Sequence, residues 1–146
     1  MDNYMRLKIK AISSNEAFAR SAVAAFCVDA NPTVDKLADV KTAVSEAVTN
    51  SIVHGYNGSG EGEVEIYVER SGNTVHIEVK DCGVGIENIE KARTPFFTTK
   101  PDEERSGMGF TVMESFMDSL SVEPNVPRGV VVKMSKNLDG AEKTTE

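Results

Sequence analysis

Two runs of strict alternation, set almost end to end, constrain the fold more than anything else in this chain. Glu63 to Glu69 puts Val64, Ile66 and Val68 on one side, and Thr74 to Lys80 does the same with Val75, Ile77 and Val79. A period of two is that of a β-strand with one wet and one dry face. The intervening Ser71-Gly72-Asn73 reads as a hairpin turn. Such a hairpin needs something apolar laid across its dry face.

The rest of the chain supplies more sheet and the cover. Arg6 to Ile12 alternates with Leu7, Ile9 and Ala11 inward, and shorter strands are expected at Leu120 to Glu123 and Gly129 to Met134, across the turn-rich Pro124 to Arg128. Helical spacing begins at Ser14 and runs through Phe18, Val23, Ala24 and Phe26. A second helix is expected from Asn31-Pro32-Thr33, with Pro in the first turn, to His54, stopping at Gly55. A third begins near Ser106-Gly107 and carries Phe110, Val112, Met113, Phe116 and Met117. Half-wet strands with amphipathic helices predict an α/β (α+β) two-layer sandwich, a mostly antiparallel sheet covered by helices on one face.

Length and composition agree. A chain of 146 residues, 40% of them hydrophobic, suits one domain with its own core; we place it at 1–138, with a polar, frayed tail at 139–146. Sixteen bases against 23 acids give a net charge of −7, which argues against direct nucleic-acid binding. No run approaches the roughly 18 apolar residues of a membrane span, and Met1 to Ile12 has no signal-peptide core. A cytoplasmic protein with no membrane contact is expected. Cys27 and Cys82 match no metal-ligand spacing and are expected as reduced thiols, Cys27 in the core.

Three stretches carry chemistry. On the second helix Leu37, Val40, Val44, Val48, Ser51 and Ile52 form the core stripe, while Ala43, Glu46, Asn50 and His54 line another side. That polar line fits a solvated face as well as a site. Next, strand parity carries Val75, Ile77, Val79 and then Asp81 to the dry face, in Asp81-Cys82-Gly83-Val84-Gly85. A carboxylate there invites a donor such as the exocyclic amine of a base, and Gly83 and Gly85 would let backbone pass close to a flat ligand. A plain strand-ending turn fits that motif equally.

Finally, Ala92 to Ser106, with Lys100 and Arg105, is long for a compact-domain loop and reads as a lid. Tyr56 to Glu90 holds eight acids and two bases, whereas Lys91 to Arg105 holds four bases and three acids. The lid runs into Ser106-Gly107-Met108-Gly109, where backbone N–H groups at a helix start offer an anion site and Arg105 adds a charge-assisted bond to phosphate. A plain capped helix remains the other reading of this piece.

The order of these pieces resembles the GHKL ATPase superfamily, whose Bergerat fold binds ATP between helices and sheet, and within it the sporulation branch of the anti-sigma factor serine kinases. Ser45-Glu46-Ala47-Val48-Thr49-Asn50-Ser51-Ile52-Val53-His54-Gly55-Tyr56 looks like that family's N box, and Phe97-Thr98-Thr99-Lys100-Pro101 with Glu104-Arg105-Ser106-Gly107-Met108-Gly109-Phe110 looks like its lid and second glycine box. The resemblance runs from about Met5 to Ser135. It implies Glu46 as general base and Asn50 as Mg²⁺ ligand. It implies Asp81 as acceptor for the adenine amine, with Gly83 and Gly85 beside ATP or ADP. Gly107, Met108 and Gly109 would meet the phosphates, with Lys100 and Arg105 facing them and Arg105 reaching the terminal groups.

The implied activity is an ATP-dependent protein-serine/threonine kinase that also binds and inhibits a sporulation sigma factor and phosphorylates a serine of a STAS-domain anti-anti-sigma partner. A homodimer is implied too, with partners docking on the first helix, where Arg20 fits a partner contact and an ordinary solvated arginine equally. The rivals are a non-catalytic nucleotide-binding anti-sigma module and the general stress-response branch of the same family. One departure stands out: the family places Thr after the glycine of the last strand, where this chain has Val130, so weakened ATP binding is expected.

Overall fold

The computed structural model describes residues 1–87, 89–93 and 109–139. Strands β1 (Asn3–Lys10), β2 (Glu63–Ser71), β3 (Thr74–Asp81), β4 (Ser119–Pro124) and β5 (Val130–Asn137) form one sheet in the order β1-β2-β3-β5-β4. Every pairing is antiparallel. Helices α1 (Ser14–Cys27) and α2 (Val34–Asn50), a short α3 (Ile89–Ala92) and α4 (Gly109–Phe116) complete the described elements.

Register stacks the dry side chains in rows. Met5, Val68, Ile77, Met134 and Leu120 stand in one row, and Leu7, Ile66, Val79, Val132 and Val122 in the next. The third row begins Ile9, Val64 and then Asp81, so a carboxylate occupies a place that its neighbours fill with hydrocarbon. Opposite these rows lie the side chains of Ala19, Val23 and Cys27 from α1, Val40, Val44 and Val48 from α2, and Phe110, Met113 and Met117 beside α4, all buried. Each buried Val, Met or Phe is worth about 1.5–3 kcal/mol over an exposed one. The expected two-layer sandwich is what forms.

Several boundaries shift for identifiable reasons. β1 begins at Asn3 rather than Arg6, because β2 runs on to Ser71 and offers partners as far as Arg70 opposite Asn3. β5 runs on to Asn137, paired with Thr74 at the start of β3. Pro32 precedes the second helix rather than sitting in its first turn: Thr33 is extended and its Oγ1 accepts the Lys36 N–H at 3.2 Å. That helix stays α-helical only to Asn50, and Ser51–Gly55 widens into a π-type turn in which the Tyr56 N–H reaches the Ser51 carbonyl at 3.0 Å. On α1, Phe18 lies outward, and the inward line is Ala19, Val23 and Cys27, small enough to let α1 lie close on α2. Phe116 likewise points outward from α4. The Cys27 thiol is fully buried and burial pushes its pKa up to about 11, so it behaves as core. Cys82 is exposed.

Candidate functional site

Asp81 is the most unusual polar group of the dry face. It is 4% exposed, and its Oδ1 accepts the Gly83 N–H at 3.0 Å and the Val130 N–H at 3.3 Å. The Ser51 hydroxyl, from the turn that ends the second helix, also hydrogen-bonds to it. Burial nevertheless raises the carboxyl above its ordinary range, and these three donors pull it only part of the way back. Three elements thus converge on one buried acceptor.

Close backbone packing makes that convergence possible. A Cβ on Gly83 would stand 2.0 Å from the Gly55 carbonyl oxygen, and the Val84 N–H donates to the same carbonyl at 2.8 Å. A Cβ on Gly129 would stand 2.0 Å from the Asp81 carbonyl oxygen, and Gly129 has φ +108. The space that Gly83 keeps open is therefore occupied by the chain's own backbone, not held solely for a flat ligand. Gly85 has φ +80, a left-handed conformation that side chains disfavour. Val130 is buried, and it bonds Asp81 through its main-chain N–H while its isopropyl group adds no donor.

The second cluster lies along α2. Glu46 and Asn50 are one helical turn apart and half-buried, while Ala43 and Ala47 on the same side are wholly buried. This face is covered, not solvated. A Cβ on Gly109, at the start of α4, would lie 3.1 Å from Asn50 Nδ2, 3.2 Å from Asn50 Oδ1 and 3.4 Å from Glu46 Oε1. A glycine at that point lets the helix start approach the carboxylate and amide. His54 falls in the π-type turn and is half-buried. Arg20 pairs with Glu16 on α1 at 3.3 Å, its side chain 40% exposed.

The structure thus brings Glu46, Asn50 and Gly109 together at one place, and Asp81, Gly83 and the Gly55 turn at another. Lys100, Arg105, Gly107 and Met108 lie outside the described residues. Among the described residues no group of three or more His, Cys, Asp or Glu side chains could hold a metal. An amide oxygen beside a carboxylate is nonetheless a fitting donor set for Mg²⁺, which takes few protein ligands and fills its shell with water and phosphate oxygens.

Sequence reasoning missed three residues here. The Asn125 side-chain amide donates to the Asp81 carbonyl at 2.9 Å, Arg128 Nε donates to the Gly83 carbonyl at 2.8 Å, and the Tyr56 hydroxyl accepts the Cys82 N–H at 2.7 Å. Tyr56 sat at the end of the N-box resemblance without a role, and Asn125 and Arg128 sat in a stretch read only as a turn. Nothing local to those residues signals that they meet residues 81–83.

Residues 11–136 match the histidine kinase-like ATPase domain family. The chain is 53% identical over 138 residues to the anti-sigma F factor of Anoxybacillus flavithermus, covering 94% of each chain. It is 54% identical to that of Clostridium botulinum, covering 94% of this chain and 96% of the relative. Among solved structures it resembles a Mycobacterium tuberculosis protein with RsbU and RsbW domains, with TM-score 0.66 and 15% identity over 93% of this chain and 32% of the other. It also resembles the catalytic domain of the histidine kinase ThkA, with TM-score 0.50 and 24% identity over 67% of this chain and 68% of that one. These two likenesses concern the fold, a histidine kinase-like ATPase architecture.

Proposed function

This chain belongs to the histidine kinase-like ATPase family and, within it, to the anti-sigma F factors, and from that premise we propose how its residues divide the work of an ATP-dependent protein-serine kinase that also restrains a sigma factor. ATP binding follows from the ATPase domain, and sigma-F binding from the branch. The observation that carries the division of labour is the pairing of Glu46 with Asn50 against the glycine start of α4, on the helix whose next residue, Ser51, hydrogen-bonds to the buried Asp81.

Asp81 accepts a hydrogen bond from the adenine amine, and its burial makes that bond strong and selective. Glu46 orients the hydroxyl of the acceptor serine and takes its proton as the phosphoryl group moves. Asn50 Oδ1 would hold Mg²⁺, and the ion would neutralise phosphate charge. Gly109, with Gly107 and Met108, offers backbone N–H groups to the phosphates at the α4 start, and Lys100 and Arg105 face them from the lid, Arg105 meeting the terminal phosphate. Gly83 and Gly85 lie along the base. The acceptor serine belongs to a STAS-domain anti-anti-sigma protein, and the working unit is a homodimer in the cytoplasm. Arg20, on the partly exposed side of α1, contacts the protein partners. Among the described residues no helix is long and apolar enough to cross a membrane.

The test mixes the protein with Mg-ATP and a cognate STAS partner and separately captures sigma factor. Phosphoserine on the STAS protein and nucleotide-dependent sigma capture are expected. Absence of phosphoserine with an intact, nucleotide-binding protein would overturn the kinase assignment for these residues.

A further inference from the structure

The sheet stops supporting the chain where Asp81 does its work. On the β5 side the last residue pair is Lys80 with Val131, and on the β2 side it is Asp81 with Val64. Asp81 keeps only its β2 partner and residues 82–83 leave the ladder, yet each of the three has a backbone group held by a side chain from elsewhere. Asn125 takes the Asp81 carbonyl, Tyr56 takes the Cys82 N–H and Arg128 takes the Gly83 carbonyl.

Two of these three, Tyr56 and Asn125, are themselves fixed. The Tyr56 hydroxyl donates onward to the Glu63 carbonyl at 2.6 Å, and its ring lies where a Cβ on Gly62 would be, 2.4 Å from Tyr56 Cε1. Asn125 Oδ1 accepts the Val126 N–H at 3.0 Å, and the Asn125 N–H closes the turn onto the Gly129 carbonyl at 2.9 Å. Packing against the hydrophobic core accounts for the Tyr56 ring but leaves the two hydrogen bonds of its hydroxyl to be explained. Tyr56 and Asn125 line a cavity of about 500 Å³ that includes the outward side chains of Lys8, Glu65 and Lys80, and Arg128 is exposed.

We propose that Tyr56, Asn125 and Arg128 are positioning residues that clamp the backbone of residues 81–83 and so hold the Asp81 carboxylate in the orientation that selects a purine bearing an exocyclic amine. This deepens the reading of Asp81 as adenine acceptor and rests on it. A carboxylate on a loose segment still binds a donor, but it pays no orientational preference to one donor position over another. The clamp acts on selectivity through Asp81 and leaves the transfer step to Glu46.

The experiment compares wild type with Tyr56→Phe, Asn125→Ala and Arg128→Ala, measuring affinity for ATP and for inosine triphosphate, which lacks the amine, together with kcat at saturating ATP. Tyr56→Phe removes only the hydroxyl and leaves the ring against Gly62, so it keeps the test available if another variant folds poorly. Wild type is expected to prefer ATP by about tenfold or more, and each variant to lose about five- to tenfold of that preference with kcat little changed. Arg128→Lys, which keeps a donor, should recover part of it. Amide exchange at Gly83 and Val130, the two N–H groups on Asp81 Oδ1, should quicken in the same variants. Unchanged preference and unchanged exchange in folded variants overturn the clamp. A wild type indifferent between the two nucleotides overturns the Asp81 reading instead, and the exchange rates then still decide whether the clamp exists.

Discussion

The two ends of the site are built by opposite means. At the Glu46 end, the polar groups come from one helix and their proximity follows from a spacing of four residues. What they meet at Gly109 is reached through side-chain ends. At the Asp81 end, groups arrive from β3, the turn after α2 and the start of β5, and what lets them meet is backbone against backbone, Gly83 on Gly55 and Gly129 on Asp81. One end is set by side chains on a rigid rod and can adjust. The other is set by main chain and cannot.

Glu46→Gln should show the largest effect and confine it to the first end. Transfer of phosphate to the STAS partner is expected to fall about 100- to 10,000-fold, with ATP affinity almost unaltered. Parallel loss of ATP affinity would mean that the two ends are not separable.

Alanine at the glycines probes the same contrast through stability. Gly83→Ala drives a methyl into the Gly55 carbonyl and should destabilise the fold by about 3 kcal/mol, read by denaturant unfolding. Gly109→Ala meets first the ends of the Asn50 and Glu46 side chains, which can rotate aside, so stability should change by less than about 1 kcal/mol while transfer falls. Equal losses of stability at both positions would erase the distinction.

Asp81→Asn should weaken ATP binding by about tenfold or more while sparing the fold. The sign of the pH effect follows from burial. Because the native carboxyl is raised above its unfolded value, the native state holds its proton longer. That contribution to stability is fully present below the ordinary carboxylate range and is lost as pH rises through the native pKa. A melting series over that window should show the slope in wild type and not in Asp81→Asn. ATP affinity in wild type should run the other way, weakening as acid protonates Asp81. The smallest change is Val130→Thr, which adds a hydroxyl beside Asp81's N–H donor and should tighten ATP binding about five- to tenfold. Unaltered or poorer affinity would remove Val130 from the account of nucleotide binding.

Much of this molecule was legible in the chain. Alternation in Glu63 to Glu69 and Thr74 to Lys80 foretold the hairpin, and parity carried Asp81 to the dry face, where the third row of the sheet holds it. The Glu46 and Asn50 line was legible too, although only the structure tells a face covered by α4 from a solvated one. Phe18 shows the limit of periodicity: it has helical spacing, yet it is 57% exposed because Ala19, Val23 and Cys27 make the closer contact. Pro32 shows another, since Thr33 captured the cap and left the proline outside the helix.

By itself the sequence determined the strands and helices, the inward set of each strand, and the placing of a carboxylate and an amide one turn apart, because these depend on neighbours two to four residues away. The tertiary structure alone decided which backbones touch. Tyr56 reaches Cys82 across 26 residues, Asn125 reaches Asp81 across 44 and Arg128 reaches Gly83 across 45. Such contacts depend on sheet register and on how closely turns can approach, quantities that no local period encodes.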